Sequence, residues 1–524
     1  MTLGRLGQLA RHAAGFPRYL RAPVTVDSAA NVIRSQLDQR EENFLRVAKQ
    51  LIYEVPRSPY RALLMWAGCD LSDLRASVAS HGLDSTLEKL RDAGAYLTLD
   101  EFKARTPIVR NGLRVETVDA DFDNPFVSGG PIVGVTSGSR SASGSRVTFN
   151  WDFMAEETAY EVTLYAAHDV LVVPLALWYP VPPGIAGIHN LLMTMKQGAV
   201  PERWFSQSPC GWRDASLEAR AAVEFVYWIG RAMGFAPPRP RFADFSHADI
   251  VVRWMADMLK RSPRVVLRAF GSSLLRMARA ALAGGIDLRG GLVFSGGEPL
   301  TEPRRRYIES AGLEVYARYV TTEIGVVAAG CPYRTSTDEM HFYSGRLAAI
   351  HRDRDTTRGQ QPDSFLYTTL TTRTPKVMFN AELGDSGTIA TRRCECALGR
   401  LGLDVHLANV RSYDKITIEG MTILTAELDG IIGAAVERAG GRPDSYQFRE
   451  GAEESGIHRL IISISPELAN LDQQKFVAEI VEELRRGGPR KAMAAEFWGK
   501  AETFAIVREE PRATAGHKLV AMKR

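Results

Sequence analysis

The sequence predicts an α/β fold, with a large N-terminal domain built on parallel-sheet subdomains and a small α+β C-terminal domain. Three observations carry this. From about residue 130 to 390, short β-branched or apolar runs ("PIVGVT", "DVLVVPL", "GGLVFSG", "LEVYARYV") alternate with helical stretches such as "ADIVVRWMADMLKRS" and "SSLLRMARAALAGG", the signature of strand–helix–strand units. Near "NVRSYDK" the pattern changes to a compact set of strand signals, "KITIEGMTIL" and "HRLIISIS", with helical stretches "ELDGIIGAAVERAG" and "QKFVAEIVEELRRG". The chain of 524 residues also exceeds the size at which one hydrophobic core stops growing. The expected division is 1–410 and 411–524, with a ligand cleft between the two parts.

The elements follow in order. Arg5, Arg11, Arg18 and Arg21 precede the first acid, Asp27, but no apolar stretch follows them, so an amphipathic N-terminal segment is expected rather than a targeting signal. Residues 30–52 carry apolar positions at helical spacing, and "STLEKLRDAG" ends on a Gly that suits a helix stop. The first hundred residues therefore read as mainly helical. The longest apolar run, "VLVVPLALW", is interrupted by Pro174 and is about half the roughly 20 residues a membrane span needs.

Composition narrows the function classes. A net charge of +4 on so long a chain, without dense Lys/Arg blocks outside the termini, argues against a nucleic-acid partner. Five cysteines, sparse and odd in number, argue against a disulfide framework and for a reducing, cytoplasmic setting.

Several short motifs carry chemistry. In "GVTSGSRSASGSRV" an apolar strand leads into a loop whose hydroxyls and approachable N–H groups suit triphosphate oxygens; the alternative is a solvated Ser/Gly linker. "VFSGGEPL" places Gly296, Gly297, Glu298 and Pro299 directly after a strand, where glycine lets a planar ring approach the backbone. Glu323 in "YVTTE" is a suitable carboxylate for a hard cation, against the alternative of a structural salt bridge. Asp385 in "ELGDSGTI" can accept from two vicinal hydroxyls, although Asp-Ser-Gly is also an ordinary turn. Cys331, His341, Cys394 and Cys396 supply three thiolates and an imidazole, the ligand set of a closed tetrahedral zinc site; buried, reduced cysteines are the alternative.

In this order, "TSGSRSASGSR", "SGGEP", "YVTTE", "GD", "RSYDK" and "PRATAGHKLV" resemble the motifs of the adenylate-forming ligases, which activate a carboxylic acid with ATP as an acyl-AMP. The nearest branch is the one containing phenylacetate CoA ligase, with the resemblance running from about residue 58, through "SPYRALLMWAGCD" and "LTLDEFKARTPIV", to the end. The resemblance implies that Thr136, Ser137, Gly138 and Ser139 grip the β and γ phosphates of ATP. Gly296, Gly297, Glu298 and Pro299 would line the adenine and acyl pockets. Tyr319 would stack on adenine, Thr322 would meet phosphate, and Glu323 would hold Mg²⁺. Asp385 would reach the ribose, Arg411 the ribose or a phosphate, and Lys518 would contact the carboxylate and α-phosphate, with Thr322, Glu323 and Lys518 the catalytic set. The region of Trp178, Tyr179, Gly184 and Gly187 would help shape the acyl pocket, with an aromatic cluster in the core as the alternative. Relatives in the branch also carry the cysteine and histidine set with a structural metal.

The chain departs from the family pattern in four places. Arg140, Ser141 and Ala142 follow the phosphate loop where Thr, Gly and Lys are usual, leaving Arg140 or Arg146 to supply the charge. Val320 replaces a Gly. The hinge is Tyr413 or Asp414, and His517 intervenes before Lys518, with Lys523 as the alternative lysine. The implied acceptor is coenzyme A, or else a phosphopantetheine carrier protein or an amine. A homodimer is a further expectation. The rival from another class is a non-catalytic adenylate-binding homologue.

Overall fold

The computed structural model describes residues 15–127, 132–136, 145–182, 184–211, 217–352, 364–412, 415–442, 445–452, 457–468 and 471–511. From residue 15 to about 100 the chain is mainly helical, as its spacing predicts, with helices from Val26–Asp38 to Leu83–Asp92; residues 1–14 lie outside the described residues. The last short helix of this region, Leu99–Phe102, is fixed by the sequence "TLDE". Thr98 Oγ1 accepts from the Glu101 N–H at 3.3 Å and the Glu101 carboxylate accepts from the Thr98 N–H at 2.9 Å, a reciprocal capping box. The helix is tied down by the Leu97 N–H on Asn380 O (2.9 Å) and the Leu99 N–H on Glu382 Oε2 (3.1 Å). The position of the next residue, Lys103, follows from these bonds.

Strands β1 (Ile108–Arg110) and β2 (Leu113–Val115) form one hairpin, and β3 (Ile132–Thr136) and β4 (Ser145–Phe149) another, whose ends bracket 137–144. The next twelve strands build one sheet: β5 (Leu175–Trp178), β6 (Arg203–Ser206), β7 (Pro240–Phe242), β8 (Val265–Phe270), β9 (Gly291–Gly296), β10 (Glu314–Thr321), β11 (Gly325–Ala329), β12 (Met340–Phe342), β13 (Leu347–Arg352), β14 (Ser364–Thr369), β15 (Ala381–Thr391) and β16 (Val405–Ser412). Their spatial order is β13-β14-β15-β16-β12-β11-β10-β9-β8-β5-β6-β7. From β7 to β10 every pair is parallel; from β10 onward every pair is antiparallel. The parallel half is the one the alternating pattern predicts. The change of sense follows from connection length, since the few residues between β10 and β11 leave no room for a crossover helix.

Strands β5, β8 and β9 are buried at every position, as in a parallel sheet covered on both faces. On one face Val265, Leu267, Val293 and Val315 pack with residues of the Ala248–Leu259 and Gly271–Ala283 helices. On the other, Val266, Leu292, Phe294 and Tyr316 pack with residues of the Trp151–Ala167 and Ala186–Lys196 helices.

After residue 414 the chain forms a hairpin, β17 (Lys415–Ile418) and β18 (Met421–Leu424), and a three-stranded sheet of β19 (Tyr446–Ala452), β20 (His458–Ile464) and β21 (Phe504–Arg508), interleaved with helices Thr425–Arg438, Gln473–Arg486 and Pro489–Lys500. The two-residue turn of the hairpin places both Glu419 (φ 53°) and Gly420 (φ 69°) at positive φ, the geometry that matches strand twist in a tight hairpin.

Gly325 opens β11 at φ +72°, and a Cβ there would lie 1.9 Å from Glu157 Oε1. Gly325→Ala is expected to lower stability by about 2–4 kcal/mol, combining a left-handed alanine with a clash against a buried carboxylate. Urea unfolding of the variant against the parent chain checks this.

Candidate functional site

A cleft of about 520 Å³ opens at the carboxyl ends of β9 and β10, where the sheet changes sense. Open sheets receive ligands at this edge. Tyr319, Thr322, Glu323, Asp385, Arg411, Gly297, Glu298 and Pro299 all line it. These residues come from the β9 exit, the end of β10, the β10–β11 connection, β15 and β16, so segments far apart in sequence meet in one place. A register shift between Tyr319 and Val320 breaks the β10–β11 pairing, and such bulges re-aim side chains beside sites.

Asp385 is the polar hub of the cleft. Its Oδ2 accepts from Tyr319 Oη at 2.6 Å and Lys415 Nζ at 3.2 Å, and its Oδ1 from Ser412 Oγ at 2.8 Å. Three of the roughly four lone-pair sites of a carboxylate are thus engaged. One remains for a ligand hydroxyl, or two if Tyr319 yields its place. The Tyr319 hydroxyl is held well above its ordinary value by burial and by the Asp385 charge, so it stays a donor. Arg411 donates to Asp338 Oδ2 at 2.8 Å while its side chain remains 42% exposed to the cleft.

Glu323 is paired with Lys103, and both are almost fully buried. Burial works to raise the Glu323 carboxyl, but the Lys103 ammonium, by charge and hydrogen bond and with help from Lys415, overrides it and holds the group at about 2. Glu323 is therefore an ionised carboxylate at neutral pH, and its present counter-ion is a lysine. A hard divalent cation held mainly by substrate phosphates needs one or two protein carboxylates, and Glu323 fits that need once Lys103 turns toward another anion.

The carboxylate of Glu298 does not face the cleft as a free ligand. It accepts from Ser272 Oγ (2.7 Å), Arg304 Nη1 (2.9 Å) and the Gly420 N–H (2.8 Å). Its neighbour Glu419 pairs with Arg276 at 2.6 Å. The turn after β9 is thereby fastened to the β17–β18 hairpin. Gly297 holds φ +76° against the Phe270 ring. Gly296 sits beside Tyr179, whereas Trp178 points to the opposite face of the sheet and donates to Ala243 O at 2.7 Å.

Of the phosphate loop, Thr136 is described only as a strand residue of β3. Ser137, Gly138, Ser139, both hinge candidates Tyr413 and Asp414, and both lysines Lys518 and Lys523 lie outside the described residues.

The second constellation closes up as its ligand set predicts. Donor atoms of Cys331, His341, Cys394 and Cys396 all lie within 4.8 Å of one another, and the four residues are buried. Cys331 Sγ and Cys394 Sγ are 3.7 Å apart and Cys396 Sγ is 3.1 Å from His341 Nε2. Thiolates at about 2.3 Å from a tetrahedral zinc are separated by roughly 3.7–3.8 Å. His341 Nδ1 donates to Leu403 O at 2.6 Å, which fixes the ring and leaves Nε2 toward the sulfurs, as metal-ligating histidines are commonly held. The Cys394–Gly399 turn is tight enough that a Cβ on Gly399 would meet Cys394 O at 2.0 Å. The residues fit zinc.

Sequence reasoning missed Lys103, Lys415, Arg490 and Arg318, which also line the cleft. Arg490 is pushed down to about 10 by burial, against the pull of Glu323 and Glu427. Single basic residues carry no motif. The one available signal was the "TLDE" cap preceding Lys103, which marks a fixed position rather than a loop.

Removing the partner of Glu323 has a signed consequence. In the parent chain the depressed carboxyl contributes stability above about pH 4.5 that is lost as the pH falls toward 2. In Lys103→Met the buried, unpaired carboxyl rises instead, so the variant should lose about 3–5 kcal/mol at pH 7.5 and recover part of it at pH 5. Urea unfolding at the two pH values reads this; identical pH dependence in both chains would refute the pairing.

No family model and no curated protein matches the chain. Among solved structures it is similar to the amide bond synthetase McbA from Marinactinospora thermotolerans, at 13% identity over 94% of this chain and 97% of that one, with a TM-score of 0.44. It is also similar to o-succinylbenzoate CoA synthetase (MenE) from Bacillus subtilis, at 13% identity over 74% and 67%, TM-score 0.40, and to the anthranilate CoA ligase AuaEII in complex with anthranoyl-AMP, at 12% over 74% and 64%, TM-score 0.31. These solved structures are adenylate-forming enzymes.

Proposed function

We propose that the protein is an adenylate-forming ligase that joins a carboxylic acid, aryl or medium-sized acyl, to AMP and then passes the acyl group to a thiol, with coenzyme A as the acceptor and the phenylacetate CoA ligase-like branch as its nearest kin. The observation that carries this reading is the meeting of Tyr319, Thr322, Glu323, Asp385 and Arg411 in one cleft, since these are the residues that the motif resemblance assigns to one nucleotide.

In this reading a substrate carboxylate oxygen attacks the α-phosphorus of ATP, the bond to the bridging oxygen breaks, and pyrophosphate leaves with the electron pair. No side-chain nucleophile takes part, so the work is positioning and charge stabilisation. Asp385 receives ribose hydroxyls at its remaining acceptor sites, and Arg411 lies beside it. Glu323 would hold Mg²⁺, which neutralises phosphate charge when bound, while Lys103 moves its ammonium from Glu323 to the phosphate oxygens. The 136–146 loop would hold the β and γ phosphates and Lys518 would meet the α-phosphate. In the second step a thiolate attacks the acyl carbon and AMP leaves. Residues 411–524 would act as a mobile domain turning near 413, withdrawing Lys518 and presenting the Gly420 hairpin. Zinc on Cys331, His341, Cys394 and Cys396 would serve as a structural cross-link, and the five free cysteines accord with a cytoplasmic setting.

Pyrophosphate release from ATP and Mg²⁺ across a panel of acids, with and without coenzyme A, tests the reading. Acid-dependent release is expected, falling about 100- to 1,000-fold in Lys518→Ala as a charge-stabilising group is lost. ATP binding without release for every acid would favour a non-catalytic homologue. For the metal, one equivalent of zinc per chain is expected by elemental analysis, and Cys394→Ser should lower both zinc content and melting temperature; unchanged melting in metal-free protein would dismiss the structural role.

A further inference from the structure

Beneath the cleft lies a cluster of charge that the nucleotide does not explain. The Trp151–Ala167 helix turns Glu157 and Glu161, one turn apart, toward the sheet. Glu157 accepts from the Val326 N–H (2.8 Å), meets His189 Nε2 (2.9 Å) and faces Arg346 at 3.8 Å. Glu161 is shared by two guanidiniums, Arg268 from β8 and Arg318 from β10. Arg268, Arg346 and both glutamates are at most 1% exposed and Arg318 is 4% exposed. Three guanidinium charges therefore face two carboxylates, leaving a positive charge unmatched before His189 is counted.

Hydrogen bonding shows the same deficit. Arg268 Nε and Nη1, Arg318 Nε, and the hydroxyls of Tyr165 and Tyr343 have no hydrogen-bond partner among the described residues. The second bond of Arg318, to Asn190 Oδ1, is long at 3.4 Å. Buried donors without acceptors are rare in folded proteins, and a buried charge without a counter-charge is costly. The guanidinium donors of the cluster exceed its carboxylate acceptors, and the acceptor that suits them is an anion.

Arg318 alone among the three arginines lines the cleft. It stands in register with Gly296, which stands in register with Phe270. Nothing lies closer than 3.6 Å (Tyr179 Oη) to where a Cβ on Gly296 would be. The Tyr179 and Phe270 rings meet edge to face with centroids 5.0 Å apart. At the carboxyl edge of the parallel strands the Tyr179 and Phe270 rings and Gly296 thus stand beside the strand that carries Arg318.

We infer that the acid activated by this protein carries a second anionic group, a dicarboxylate being the simplest case, which docks on the guanidinium of Arg318 while its first carboxylate faces the nucleotide. This rests on the adenylation reading. Bound there, the second carboxylate supplies the counter-charge that Glu161 divides between Arg268 and Arg318, and takes the place of the weak Asn190 contact.

The test is acid-dependent ATP–pyrophosphate exchange with matched pairs, each aryl or alkyl monoacid against the same acid bearing a distal carboxyl, in the full-length chain and in Arg318→Met and Arg318→Lys. The expected result is a kcat/KM preference for the diacids of at least about 100-fold, collapsing in Arg318→Met chiefly through KM and partly restored in Arg318→Lys. Equal exchange with monoacids and diacids in the parent chain, or a preference that survives Arg318→Met, overturns the inference and leaves adenylation standing. Exchange with no acid of either kind overturns the adenylation reading and this inference with it. Should both variants fail to fold, the parent chain's ratio decides alone.

Discussion

The architecture depends on β10, the strand at which the sheet changes sense. It pairs in parallel with β9 and in antiparallel fashion with β11, so its exit is the one place where the parallel half and the antiparallel half face a common opening. Alternation along a strand sends neighbouring side chains to opposite faces. Arg318 accordingly turns toward the helix carrying Glu161, while Tyr319 turns toward Asp385. One strand end therefore supplies both the arginine beneath the cleft and the tyrosine at its polar hub. The antiparallel continuation is needed as much as the parallel core, because Asp385 on β15 and Arg411 on β16 approach β10 only through the ordered stacking of β11, β12 and β16.

Charges around that opening are held in ion pairs. Lys103 and Glu323, and Arg276 and Glu419, each join a residue of one segment to a residue distant in sequence, while Arg304 and Glu298 pair within the turn after β9. Buried pairs give little net stability over apolar substitutes, and breaking one leaves an exposed cost. Their value here is geometric, because each fixes a carboxylate that would otherwise choose among rotamers.

Much of the fold was legible. The alternating pattern between 130 and 390 follows from strands buried on both faces and helices buried on one, so it marks the parallel half clearly. The antiparallel half is less visible because its strands are defined by short connections, which leave no periodicity of their own. That Tyr319, Glu323, Asp385 and Arg411 belong together was legible because each stands in a short motif whose residue types limit the chemistry, and one cleft collects them. Cys331, His341, Cys394 and Cys396 were legible because their side chains have few other uses together. The motif around Glu298 implies a residue lining the adenine and acyl pockets, and Glu298 lines the cleft. Its carboxylate is turned into the protein by Ser272, Arg304 and the Gly420 N–H, partners that no local pattern announces. Lys103, Lys415 and Arg318 were invisible for the same reason, since a lone cation reads as solvated surface until its partners across the fold are known.

The seat of the β17–β18 hairpin has no spare room. A Cβ on Gly420 would fall 2.3–2.5 Å from three atoms of the Phe270 ring, and Phe270 is also the ring that meets Tyr179. Position 420 is thus bound to stay empty for as long as position 270 stays large. The two sites, 150 residues apart in the chain, are free to vary only as a pair: relatives that carry a side chain at the first should carry a small residue at the second, and that joint change would reshape the aromatic wall at the same stroke.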